Sequence, residues 1–205
     1  QAGAVLNVTN SNGAIINWQQ FNIGAGETTR FIQPTASSAV LNRVLAADPS
    51  LLYGTLASNG KVFLVNPAGI LVGAGARIDT AGFVASTLAI KDSDFLAGKL
   101  SFGQIGAAAN GLVSNQGSIT TVDGGSVYLI GANVSNQGII HTPGGEAILA
   151  AGQTVQLVDT ATPGVKVEIT GDGTTTNLGS ILADAGRIGL TGAIVRNSGT
   201  LNASS

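Results

Sequence analysis

A chain of 205 residues with one histidine, no cysteine and eleven acids has few ways to build a reactive centre. His141 is that histidine, so any Ser/His/Asp triad must use it. It stands two residues before Pro143-Gly144-Gly145, a turn signal, in a segment built like its neighbours; an exposed turn residue is the expectation. Asp92 and Asp94 bracket Ser93 like part of a calcium site, yet no Asp or Glu lies within 12 residues on either side. Calcium needs several oxygens and β-rolls supply them from a glycine-aspartate nonapeptide, which is missing, so turn capping is the better reading of this pair. Gly73-Ala74-Gly75 follows an apolar run but lacks the third glycine and the helix of a phosphate loop, and Gly171-Asp172-Gly173 reads as a plain turn. Trp18, Phe21, Phe31, Phe63 and Phe83 are candidates for a sugar-stacking platform, but most have apolar neighbours, which favours a place in a core or over its end. No catalytic residue, cofactor or metal site is expected, and zero cysteines exclude disulfides and thiolate ligands.

Composition narrows the partners. The five Arg and four Lys are scattered from Arg30 to Arg196, and the net charge is −2, so no nucleic-acid footprint is present. Gly, Asn or a charge interrupts every apolar run well short of the ~18 residues a spanning helix needs, and no stable membrane insertion is expected. Thirty glycines beside an apolar set rich in Ala, Val, Ile and Leu favour narrow, repetitive packing.

The elements that must carry these residues are set by a repeat. Val113-Ser114-Asn115-Gln116-Gly117-Ser118-Ile119 returns 21 residues on as Val134-Ser135-Asn136-Gln137-Gly138-Ile139-Ile140. Further copies stand at Thr176-Asn177-Leu178-Gly179 and at Arg196-Asn197-Ser198-Gly199. A second marker keeps the same step, in Gly125-Ser126-Val127-Tyr128-Leu129, Gly145-Glu146-Ala147-Ile148-Leu149 and Gly186-Arg187-Ile188-Gly189-Leu190. Short β-branched runs closed by Gly, Asn or Asp, three to a period, describe one coil of a right-handed parallel β-helix. At about 20–21 residues per coil the chain makes roughly ten coils and a rod of ~45–50 Å. Asn115, Asn136, Asn177 and Asn197 then fall in one column as a structural ladder of side-chain amides. A leucine-rich repeat has a similar period, but its L-x-x-L-x-L frame is absent.

The N-terminal half is less regular. Segments 14–18, 28–33, 61–65, 69–72, 76–79 and 82–90 read as strands. Segment 34–53, with Pro34 and Pro49, and segment 91–112 read as excursions from the coil in a single domain over 1–205. An N-terminal cap before Trp18 is expected, because an open end coil carries unpaired backbone groups. In this register Asp123 and Asp184 share a turn position about three coils, or ~14 Å, apart. That exceeds the ~6.5–9.5 Å of the wider glycosidase geometry.

Several strings resemble the secretion domain of filamentous-haemagglutinin-type exoproteins, the two-partner secretion (TPS) domain, above all in high-molecular-weight adhesins and haem-haemopexin-binding proteins. They are Ile16-Asn17-Trp18-Gln19-Gln20-Phe21-Asn22-Ile23-Gly24, Leu41-Asn42-Arg43-Val44, Gly60-Lys61-Val62-Phe63-Leu64-Val65-Asn66-Pro67-Ala68-Gly69-Ile70 and Phe83-Val84-Ala85-Ser86-Thr87-Leu88. The family's Asn-Pro-Asn-Gly turn appears as Asn66-Pro67-Ala68-Gly69, and no Asn-Pro-Asn-Leu companion is found. The resemblance implies recognition in the periplasm by the POTRA domains of a TpsB-type outer-membrane transporter, unfolded passage through its barrel, and folding at the cell surface or beyond. It also implies an adhesin as parent protein. By it, Asn66, Pro67, Ala68, Gly69 and Ile70, with Asn17, Trp18, Phe21, Asn22, Leu41, Asn42 and Arg43, are the candidates for transporter recognition or a folding nucleus. The turn chemistry agrees: Pro67 presets φ, Gly69 permits positive φ, and Asn66 can bond its own backbone two residues on.

Two other functions compete. A module binding carbohydrate or a host ligand needs an exposed apolar or aromatic patch. A polysaccharide-active β-helix enzyme needs several acids on one face, and here they are dispersed among turns. The expectation is a monomeric, non-enzymatic secretion domain.

Overall fold

The computed structural model describes residues 3–104, 111–159 and 165–204. Among them the chain winds through three parallel sheets in a fixed order. Sheet A has eight strands, from Val5–Thr9 to Thr200–Asn202; sheet B has seven, from Ala14–Trp18 to Arg187–Thr191; sheet C has six, from Ser50–Leu52 to Ile194–Asn197. From Thr28–Ile32 on, each coil passes from A to B to C and returns to A one rung higher, which makes a parallel β-helix; the first coil touches sheet C only through the Ile23–Leu52 bridge.

Turn chemistry fixes the rung spacing. Gly117, Gly138, Gly179 and Gly199 stack at the corner between sheets C and A. A Cβ on Gly138 would lie 2.1 Å from the Gly117 carbonyl oxygen, and one on Gly179 2.1 Å from that of Gly138. No side chain fits there, so the corner selects glycine. Inside the coil, apolar columns run along the axis: Leu56, Ile78, Ile119, Ile140 and Ile181 stack in sheet A, each fully buried. Every rung buries its inward side chains against its neighbours at ~25 cal/mol per Å², so stability accumulates along a one-dimensional stack.

A second core lies outside the coil. The outward column of sheet B is Leu41, Phe63, Val84, Tyr128 and Ile148, all buried. It is covered by the helix Asp92–Leu96 and by a four-stranded antiparallel sheet D, made of Ala89–Ile90, Leu100–Gly103, Thr154–Asp159 and Val165–Thr170. With both faces covered, the strands of sheet B read as nearly unbroken apolar runs, as in Lys61–Val65 and Val127–Gly131.

Three expectations change. Segment 34–53 is coil, not excursion: Ala39–Val44 sits in sheet B between Ala14–Trp18 and Lys61–Val65, and Ser50–Leu52 pairs with Ile70–Val72 in sheet C. Pro34 and Pro49 fall outside these strands, so neither removes a ladder hydrogen bond. The chain does leave the coil at 89–103, and so do Thr154–Asp159 and Val165–Thr170, which the repeat counts as coil. These two insertions bring the longest described sheet to eight rungs, fewer than the ten a uniform period gives. The run 82–90 breaks into Gly82–Ser86 and Ala89–Ile90, where the buried Ser86 hydroxyl donates to Leu88 O (2.7 Å) and accepts the Leu88 N–H (3.0 Å).

Candidate recognition and nucleation site

The Asn66 turn closes the corner between sheets B and C. Asn66 is fully buried. Its N–H donates to Ser86 O (2.9 Å), and its carbonyl accepts the Gly69 N–H (3.1 Å). Its Oδ1 accepts the Ala68 N–H (3.0 Å), forming the local turn. Its Nδ2 donates to Asp48 O and to Ser50 Oγ, both at 3.0 Å. Pro67 is exposed, Ala68 half-buried, and Gly69 has φ +132°, a value that L side chains rarely adopt. Ile70 is buried and starts the next strand of sheet C.

Asn42 faces into the coil at its N-terminal end, fully buried. A buried amide without partners would cost free energy, and here both ends are used. Its Oδ1 accepts the Trp18 indole N–H (2.9 Å) and its Nδ2 donates to Phe63 O (3.2 Å). Trp18 meets Phe21 edge-on with centroids 5.3 Å apart, and Phe21 stacks on Phe31 at 6.4 Å. These rings close the first coil. Leu41 points the other way into the second core, and Arg43 reaches across to donate to Ile90 O (3.1 Å) and to pair with Asp92 (2.6 Å). The Asp92 carboxylate is thus a tether for the helix. Asn17 is exposed on the first strand of sheet B.

Segment 48–52 ties the two groups together. Asp48 O and Ser50 Oγ hold Asn66, the Leu51 N–H donates to Asn22 Oδ1 (2.8 Å), and Leu52 bridges in parallel to Ile23. Sequence reasoning missed Asp48, Ser50 and Ser86 because backbone carbonyls and small hydroxyls leave no motif.

The asparagine column runs along the corner as a chain of amides. Asn115 Nδ2 donates to Asn136 Oδ1, Asn136 to Asn177 and Asn177 to Asn197, each at 2.8 Å. Below Asn115 the same position holds Val72 and then Leu52, so the N-terminal rungs fill this corner with hydrocarbon.

His141 ends a strand of sheet A, half-exposed, with Nε2 3.0 Å from Asp184 Oδ2. Asp123 and Asp184 stand closer than the even repeat gives: Ser118–Thr121, Ile139–His141 and Ser180–Leu182 are successive rungs. Two rungs at ~4.8 Å separate the acids by ~9.6 Å, because Thr154–Asp159 and Val165–Thr170 stand outside the coil. The spacing now lies at the upper edge of the hydrolase range of ~6.5–9.5 Å. A groove of about 650 Å³ between the A–B corner and the segment Phe95–Leu100 is lined by Asp123, Lys61, Phe63 and Tyr128, and by neither His141 nor Asp184. Asp94 lies on the helix rather than in a cation loop, and no cluster of three His, Cys, Asp or Glu suited to a metal occurs among the described residues.

Polar side chains thus close corners and join rungs of the coil. The chain belongs to the family described as TPS secretion domain, whose sequence signature matches residues 3–205. Among relatives, a heme/hemopexin-binding protein of Haemophilus influenzae is 40% identical over 77 residues, 38% of this chain and 8% of that protein. A second, from strain KW20 / Rd, is 43% identical over 72 residues, 35% of this chain and 8% of the relative. The matched stretch is therefore a small part of each relative's length. The crystal structure of the HMW1 secretion domain from Haemophilus influenzae aligns with a TM-score of 0.89 at 43% identity, covering 95% of this chain and 53% of that one.

Proposed function

We propose that this secretion domain is recognised in the periplasm by the POTRA domains of a cognate TpsB-type outer-membrane transporter, and that it nucleates β-helix folding of a large exoprotein, an adhesin, at the cell surface. The domain has no enzymatic role. The observation that supports the reading is the burial of part of the motif: Leu41, Asn42 and Asn66 have no exposed surface and Phe21 and Ile70 almost none, while Asn17, Asn22 and Pro67 stay exposed. A transporter can meet the buried side chains only in the unfolded chain. On folding, the same residues become the first rungs and their corner, on which later coils stack.

A POTRA fragment of the partner transporter should retain the chain freshly diluted from denaturant and release it as it folds, and should not retain prefolded domain. Retention of the prefolded domain on glycans or host cells, with no capture of the unfolded chain by the POTRA fragment, would instead assign it as an adhesive module.

A further inference from the structure

Sheet D is assembled from two insertions that leave the coil at the same corner, between a strand of sheet B and the next strand of sheet C. The first follows Gly82–Ser86 and supplies Ala89–Ile90, the helix and Leu100–Gly103; the second follows Glu146–Ala151, two rungs higher, and supplies Thr154–Asp159 and Val165–Thr170. They meet as an antiparallel pair in which Leu100 faces Leu157 and Phe102 faces Val155. Val155 and Leu157 turn inward and are buried, while Gln156 between them is exposed. Beneath them the outward column of sheet B runs Ile15, Leu41, Phe63, Val84, Tyr128, Ile148 and Gly189, and every side chain in it, Gly189 having none, precedes Thr154 in the chain.

The inner core therefore completes its rungs through Glu146–Ala151 without Thr154–Asp159 and Val165–Thr170, but the second core cannot. From this separation we infer that Thr154–Asp159 and Val165–Thr170 form a strap that docks last, sealing sheet B only after the rungs beneath it are built. Until it docks, the edge of Leu100–Gly103 and the apolar face of sheet B make a slot for an extended segment with apolar residues at alternate positions. Thr154–Asp159 is that segment. The order of events in the cell rests on the proposed secretion reading; the separate closure of the strap does not.

Native-state hydrogen exchange on the whole domain tests the strap. The amides of Leu100–Gly103 and Val165–Thr170 should exchange through an opening that leaves Val127–Gly131 and Glu146–Ala151 protected, with protection at least ~10-fold lower. Val155→Asp should lower protection of sheet D at least ~10-fold further and leave those two coil strands unchanged, because the charge is buried only when the strap is docked. Should that variant not fold, Leu157→Ala is compared in the same way. Exchange of all four segments through one common opening, or equal loss of protection in coil and strap, overturns the inference. Capture of the unfolded chain by the POTRA fragment is a separate readout, so failure of the secretion reading leaves the strap standing, and the reverse.

Discussion

Asn66, fully buried, makes five hydrogen bonds, three more than its turn requires. Asn66→Ala should therefore cost about 1–3 kcal/mol, since the Ser50 hydroxyl is left buried without that partner, and urea unfolding measures it. Gly69→Val should cost at least ~1 kcal/mol, because a β-branched residue resists φ +132°. In the amide column, Asn136 both gives and receives an amide bond while Asn197 only receives from Asn177, so Asn136→Ala should destabilise more than Asn197→Ala. The column's period, its side-chain type and the Asn66 turn were legible because spacing and turn preference are local properties of the chain. The bonds from Asn66 to Asp48 and Ser50 were not, since they join positions 18 and 16 residues apart through groups that carry no pattern.

At the scale of elements, a strand of sheet B serves two cores at once. Phe63 points outward from the coil yet is only 7% exposed and packs edge-on against Phe95 at 5.2 Å. Phe63→Ala should cost ~3 kcal/mol by thermal or urea unfolding; a cost near zero would mean that the outer face of sheet B is open to water. The unbroken apolar runs of these strands already signal burial on both faces, which an alternating reading overlooks. Segment 34–53 misled because two prolines suggested an irregular loop, although both stand outside the strands. Thr154–Asp159 and Val165–Thr170 misled in the opposite direction: their β-branched alternation is that of any half-buried strand, and only their partners distinguish an antiparallel pair from coil.

For the whole molecule, the A–B–C winding makes order along the chain the same as order along the rod, and this is the property an exported chain can use. A circular dichroism spectrum should be that of β-structure without dominant helical minima, since the described helix has five residues. Chelation should leave the melting temperature unchanged, because corners and rungs are held by hydrogen bonds and packing. The proposed export role requires that the Asn66 turn, buried in the fold, also acts before folding. Secretion of a full-length parent by cells carrying the partner barrel tests it most directly, with Asn66→Ala and Gly69→Val set against Ile188→Ala in a C-terminal rung of similar stability loss. The two turn variants should be secreted less than the Ile188 variant; equal secretion by all three would leave the turn a structural corner alone.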